Sequence, residues 1–147
     1  MRSLLVIEDG NEYVEFARAL LSNDFQVWQA QSVMQALQIL TDQRIDALLI
    51  DLRFDRTLPE SLIGNVSDTA TRLFAGDTQR AVRYIQDQQG ILILAELRRH
   101  AYHQPAVFVH DFPERRIQNL RKLYGDVSAV PSFDVATLLA ALSKRVS

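Results

Sequence analysis

Three carboxylates follow two short apolar segments of this sequence. Glu8 and Asp9 come directly after residues 4–7 (LLVI), and Asp51 comes directly after residues 47–50 (ALLI). Neither segment alternates apolar with polar residues, which is typical of a strand buried on both faces of a parallel sheet. Ligands of open parallel sheets bind outside the carboxyl ends of the strands. The three acids are therefore candidates for chemistry if the two strands are neighbours.

The order of strand and helix patterns predicts that the two strands before these acids are neighbours. Five strands alternating with helices favour an α/β fold, a doubly wound five-stranded parallel sheet covered on both faces. Right-handed crossovers favour the strand order 2-1-3-4-5, which places strands 1 and 3 side by side. The strands are expected at residues 4–7, 25–29, 46–51, 106–109 and 127–130, with helices between them and a final helix after Ser132 or Asp134.

Three neighbouring carboxylates repel one another and stay ionised together only beside a cation. All-oxygen ligation suits a hard ion, so we expect Mg²⁺ at Glu8, Asp9 and Asp51. A carboxylate beside Mg²⁺ is also a sensible phosphoryl acceptor, because the metal screens the incoming charge. The alternative is that these are ordinary solvated acids at strand ends.

Five segments are similar to a bacterial response-regulator receiver domain. They are LLVIEDG, RIDALLIDLRFD, GILILAELRR, PAVFVHD and VSAVPSF, and the similarity covers about residues 2–56 and 88–145. The resemblance implies the flavodoxin-like receiver fold and a role in a two-component system or phosphorelay.

The resemblance also implies roles for individual residues. Glu8 and Asp9 match the metal-binding acid pair, and Asp51 matches the aspartate that a histidine kinase or phosphotransfer protein phosphorylates. Arg53 lies where a main-chain carbonyl completes the metal shell. The implied cofactor is Mg²⁺.

The chain departs from the family pattern at the residues that sense phosphate. His110 replaces the Thr or Ser after strand 4 and is a candidate phosphoryl contact, although a partly buried loop histidine is an equal alternative. Val130 replaces the Lys before Pro131, and Val127 stands for the aromatic residue of strand 5. Because these phosphate-sensing residues are missing, a pseudo-receiver that works without phosphorylation stays an alternative function.

A further departure is an insertion of about residues 56–88, between Asp51 and the glycine that opens the next core helix, Gly90. Long segments at such positions are usually lids, binding loops or disorder. This one is too apolar for simple disorder, and helices are expected at residues 68–74 and 77–87. We expect it to pack near the acids or to form a partner surface.

The composition limits the class of protein. The 147 residues suit a single domain over 1–147, and the net charge of −2 disfavours nucleic acid and anionic membranes as partners. The chain has no cysteine and no apolar run long enough to span a membrane. We expect a cytoplasmic protein.

Three functions remain open on the sequence. The first is a receiver that accepts a phosphoryl group on Asp51 and signals to a downstream protein through a changed surface. The second is the pseudo-receiver, a protein-binding module. The third is a phosphatase-like enzyme, which Arg53 opposes because haloacid-dehalogenase-type enzymes need an acid at that position. We therefore expect no enzyme. A homodimer through the fourth core helix (113–125), strand 5 and the last helix is compatible with the resemblance.

Overall fold

The computed structural model describes residues 1–143 and contains a five-stranded sheet in which every pairing is parallel. The strand order is β2-β1-β3-β4-β5, which confirms the predicted 2-1-3-4-5 topology. The strands are β1 (Arg2–Ile7), β2 (Phe25–Ala30), β3 (Ala47–Ile50), β4 (Ala106–Val109) and β5 (Val127–Val130).

Helices connect the strands and cover both faces of the sheet, as predicted. They are α1 (Glu12–Leu20), α2 (Val33–Asp42), α3 (Val66–Leu73), α4 (Thr78–Asp87), α5 (Gln89–Arg99), α6 (Glu114–Tyr124) and α7 (Val135–Ser143), with a short 3₁₀ helix at Pro59–Ser61. None of the helices within residues 1–143 combines the length and apolar character needed to cross a membrane.

Alternate residues of the central strands point into two separate cores. Leu5 and Ile7 of β1 pack on the face covered by α2, α5 and α6, whereas Leu4 and Val6 pack on the face covered by α1 and α7. All four side chains are fully buried. The absence of alternation in the sequence is thus explained, since both faces of these strands are core.

Two leucines do not lie where helical periodicity predicts. The spacing of Phe16, Ala17, Leu20 and Leu21 predicts that Leu20 lies on the inner face of α1, and the spacing of Ile117, Leu120 and Leu123 predicts the same for Leu123 in α6. These two leucines are instead 51% and 70% exposed. Val14 is buried in α1 instead, because the helix is rotated so that Val14, Ala17 and the following Leu21 face the sheet.

The insertion between β3 and α5 is folded and lies against the domain. It consists of the 3₁₀ helix, α3 and α4, and only Gln88 separates α4 from α5. Leu62 and Ile63 pack on the larger core cluster, and the Phe54 N–H donates to the carbonyl of Gln86 at 2.9 Å. The two predicted helices are present, and contacts of Leu62, Ile63 and Gln86 attach the insertion to the domain.

Candidate functional site

The pairing of β1 with β3 brings the predicted acids to one edge of the sheet. Ile7 pairs with Ile50, so Glu8 and Asp51 leave the sheet side by side. The N–H of Asp51 continues the ladder by donating to the Ile7 carbonyl at 2.9 Å. The predicted convergence at this edge is present, and the orientation of each carboxylate decides what it can do.

Asp51 is a half-buried carboxylate beside two other acids. Its pKa is raised to about 6, chiefly because burial disfavours the charged form, and the charges of Asp9 and Glu8 raise it further. A hydrogen bond from the Arg53 N–H at 3.3 Å and the nearby Tyr13 hydroxyl lower this pKa. The site therefore concentrates negative charge, and donors of the chain itself partly offset it.

Glu8 is directed at a helix terminus. Its carboxylate is 1% exposed and accepts hydrogen bonds from the N–H groups of Tyr13 at 3.0 Å and Val14 at 2.7 Å. Asn11, the residue before α1, makes no side-chain capping bond, so Glu8 satisfies these free N–H groups of the first turn instead. Both oxygens of this predicted metal ligand already have a structural role.

Asp9 holds the start of the insertion. Its Oδ2 accepts bonds from the Arg56 N–H at 2.7 Å, the Thr57 N–H at 3.1 Å and the Thr57 hydroxyl at 3.3 Å. The Arg56 guanidinium forms a 2.6 Å ion pair with Glu12, whose pKa it lowers to about 2. The insertion thus lies against the acid cluster, which is the first of the two arrangements expected from the sequence.

Sequence reasoning missed Tyr13 as a site residue. The helical spacing of the first helix assigns it to the apolar face, but its hydroxyl donates to the Val109 carbonyl at 3.5 Å and lies near the Asp51 carboxylate. Burial and the charge of Asp51 raise its pKa. Its ring packs edge-on against Phe133 with centroids 4.6 Å apart. The available signal was a tyrosine, rather than a leucine, in the first helical turn after the acid pair.

His110 and Arg53 lie together on one side of the cluster. His110 follows β4, and its ring packs against Phe112 at 4.6 Å. Both residues line a groove of about 310 Å³ with Arg116. No hydrogen bond joins His110 to Asp51 within residues 1–143, and its role as a phosphoryl contact stays a prediction.

The position of the missing lysine is apolar. Val130 is 3% exposed and belongs to the core cluster under α1 and α7. Gly90, in contrast, matches the family pattern for a clear physical reason. A Cβ on Gly90 would collide with the Asp51 carbonyl and the Leu52 backbone, because the first turn of α5 packs directly on the end of β3.

The donor set fits a magnesium ion poorly in this conformation. No group of three or more acidic or histidine side chains in residues 1–143 is arranged to hold a metal. Glu8 caps α1, and Asp9 would have to give up bonds to the insertion or bind through its other oxygen. The metal ligands Glu8, Asp9, Asp51 and the Arg53 carbonyl therefore stay predictions.

Solved structures of response regulators superpose on this chain. A two-component response regulator from Clostridium difficile superposes with a TM-score of 0.63 at 12% identity, covering 100% of both chains. The chain has the fold of a response-regulator receiver domain. The chemotaxis response regulator CheY4 of Vibrio cholerae gives a TM-score of 0.62 at 16% identity, covering 97% of each chain.

A third neighbour with this fold was solved in a phosphorylated form. It is a response regulator from Burkholderia pseudomallei with a phosphorylated aspartic acid, a calcium ion and citrate, at 17% identity and a TM-score of 0.59. The match covers 97% of this chain and 66% of that one. In sequence, no family model and no curated protein matches the chain.

Proposed function

We propose that this chain is a receiver-type signalling module that acts through protein–protein contact without phosphorylation of Asp51. The observation that carries the proposal is the engagement of Asp9 by three donors from the insertion. Together with the capping role of Glu8, it leaves two of the predicted metal ligands, Glu8 and Asp9, engaged by the chain's own groups. The acid cluster then has a structural role, which is to hold α1 and the insertion against the sheet.

The local charge supports the same proposal. A phosphoryl group on Asp51 would add negative charge beside Asp9 and Glu8, which already raise the pKa of Asp51. Two like charges about 5 Å apart near a protein surface repel by about 3 kcal/mol. A lysine would offset this, but the position before Pro131 is the buried Val130. Arg56, the cation next to Asp9, is paired with Glu12.

A second candidate is the phosphoacceptor that the family resemblance implies. In favour of it, Asp51 is only half-buried, makes no ion pair within residues 1–143, and lies close enough to Asp9 and Glu8 for their charges to raise its pKa. The Burkholderia neighbour carries phosphoaspartate with a divalent cation on the same fold. A histidine kinase or phosphotransfer protein would then be the donor, with Mg²⁺ at Asp9 and Asp51.

Phosphoryl transfer from a small donor separates the two candidates. The purified chain and its Asp51→Asn variant are incubated with Mg²⁺ and acetyl phosphate, and their intact masses are measured. We expect no phosphoryl adduct on either protein, and no change in melting temperature when Mg²⁺ or beryllofluoride is added. The Burkholderia regulator, treated in parallel, is the positive control.

An adduct that forms on the wild-type chain and is absent from Asp51→Asn would overturn the first proposal and establish the second. An adduct of equal size on both proteins would place phosphorylation at another residue, which contradicts the second candidate and agrees with an unmodified Asp51. Turnover of a phosphate ester, assayed in the same samples, would instead indicate the phosphatase-like enzyme.

A further inference from the structure

Three grooves meet along the exposed side of α4, the second helix of the insertion. Their volumes are about 220, 410 and 310 Å³, and Asp87 lines all three. Arg83 is shared by the first two and Arg53 by the last two. They therefore form one continuous surface, which runs from the α3–α4 hairpin, past the end of β3, to the start of α6. We call it the arginine surface and define it by Arg53, Phe74, Arg80, Arg83, Tyr84 and Arg116.

The four arginines of this surface are exposed and cluster around shared grooves without an acidic partner in the described part of the chain. Arg56 and Arg72, in contrast, pair with Glu12 at 2.6 Å and with Asp68 at 3.1 Å. None of the four guanidinium groups forms an ion pair with a carboxylate in residues 1–143. The Arg116 guanidinium donates a hydrogen bond to the Gln88 side-chain oxygen at 2.9 Å.

The charge of the surface is opposite to that of the whole chain. Its four arginines face two aspartates, Asp55 and Asp87, which line the same grooves, so it is net positive on a chain of net charge −2. Exposed arginines without partners gain electrostatic energy from any acidic group that approaches them. This complementarity points to a negatively charged occupant.

Aromatic side chains give the surface an apolar contact. Phe74 and Tyr84 pack edge-on with centroids 5.7 Å apart, and the Arg80 guanidinium lies 5.0 Å over the Phe74 ring. Tyr84 is 43% exposed. Tyrosine and arginine are among the residues enriched at the energetic centres of protein interfaces. Aromatic side chains also lose little conformational entropy on binding, because they have only two side-chain torsions.

We propose that the arginine surface binds an acidic segment of a partner protein that also carries an apolar anchor residue. The inference rests on the proposed function, because it names the chemistry of the partner that such a signalling module contacts. The acidic groups would meet Arg53, Arg83 and Arg116, and the apolar anchor would contact Phe74 and Tyr84. Asp55 and Asp87 disfavour a uniformly anionic ligand such as a nucleic-acid backbone.

A synthetic peptide in which glutamate alternates with leucine and phenylalanine serves as the probe. Its binding to the full chain is measured by fluorescence anisotropy at low and high salt, next to a peptide with lysine in place of every glutamate. We expect binding of the acidic peptide only, weakened by salt. The double variant Arg53→Glu and Arg83→Glu should weaken it by about tenfold or more.

The matched control is Arg115→Glu, an exposed arginine of α6 that lines none of the three grooves. It should bind the acidic peptide as the wild type does. Circular dichroism verifies that each variant is folded, and amide chemical shifts of α4 should change on titration with the peptide. Retention of binding by the double variant, or an equal loss in the control, would overturn the inference.

The same measurements distinguish an acidic protein segment from other ligands of the arginine surface. Binding of the lysine peptide or of a single-stranded oligonucleotide at equal affinity would contradict an acidic protein partner. Self-association that the double variant abolishes, detected by sedimentation velocity, would assign the surface to a second copy and also contradict it. Because none of these assays involves phosphoryl transfer, failure here is distinguishable from failure of the proposed function.

Discussion

At the residue scale, the acid cluster is defined by what each carboxylate accepts. The sequence predicted that Glu8, Asp9 and Asp51 share one edge of the sheet, and β1–β3 pairing brings them there. The hydrogen bonds from the first turn of α1 and from Thr57 were not predictable, because they depend on how a helix terminus and a loop pack on that edge. The result is an acid cluster in which Glu8 and Asp9 accept hydrogen bonds from α1 and from the insertion.

Removing the charge of Asp51 is expected to stabilise the protein. Because its folded-state pKa is about 6 against an ordinary 3.8, the folded chain binds its proton more tightly than the unfolded chain. The free energy of unfolding therefore falls as the pH rises from about 4 to about 6. Asp51→Asn should be more stable than the wild type by about 1–2 kcal/mol at pH 7, since the carboxylate is only partly buried.

Urea denaturation at a series of pH values without divalent cations measures this difference. It should shrink towards zero below about pH 4, where Asp51 is protonated in both states. Asp55→Asn, an exposed acid in the same loop, is the control and should change stability by less than about 0.5 kcal/mol. A destabilised Asp51→Asn at pH 7 would show that the charge of Asp51 is needed by the fold.

At the element scale, the insertion is a helical hairpin clamped to the first residue of α5. Gln89 is 2% exposed, and its side-chain amide pairs with the backbone of Ile63, accepting from its N–H at 2.8 Å and donating to its carbonyl at 3.0 Å. The sequence predicted both helices, and Asp77, which precedes α4, caps it by accepting from the Arg80 N–H. The clamp was missed, because an interior glutamine has no local pattern.

Breaking the clamp should loosen the insertion. Gln89→Leu keeps the approximate volume but leaves the Ile63 N–H and carbonyl without partners, which should cost about 2–3 kcal/mol. The Ile63 amide should also exchange faster with solvent in hydrogen-exchange NMR. Gln79→Leu, an exposed position of α4, is the control and should change neither quantity appreciably. Unchanged exchange at Ile63 in Gln89→Leu would mean that the clamp does not hold the insertion.

At the scale of the whole molecule, burial is distributed unevenly. The residues of β3 are fully buried, whereas α3 buries only Ala70 and packs mainly on α4. Regions with few buried apolar contacts open locally at lower free energy than the core. The receiver-fold sheet and the insertion are therefore expected to differ in stability, although they share core contacts through Leu62 and Ile63.

Hydrogen exchange followed by mass spectrometry should resolve this difference. Amides of α3 are expected to open at a free energy at least about 2 kcal/mol below those of β1 and β3, because α3 buries so little apolar surface. Amides of α4, which buries Ala81 and Ile85, should lie between the two. Equal protection of α3 and β3 would indicate that the insertion unfolds only together with the sheet.

The strand order, the helices and the edge at which the acids meet were predictable from the sequence alone. These follow from apolar runs, turn residues and the handedness of crossovers, all of which are local or topological. The remaining features depend on tertiary packing: the position of Tyr13 beside Asp51, the insertion on Asp9, the exposure of Leu20 and Leu123, and the continuous arginine surface. Each depends on the rotation of a helix or the path of a loop, which is set by packing between distant segments and leaves no periodic trace in the sequence.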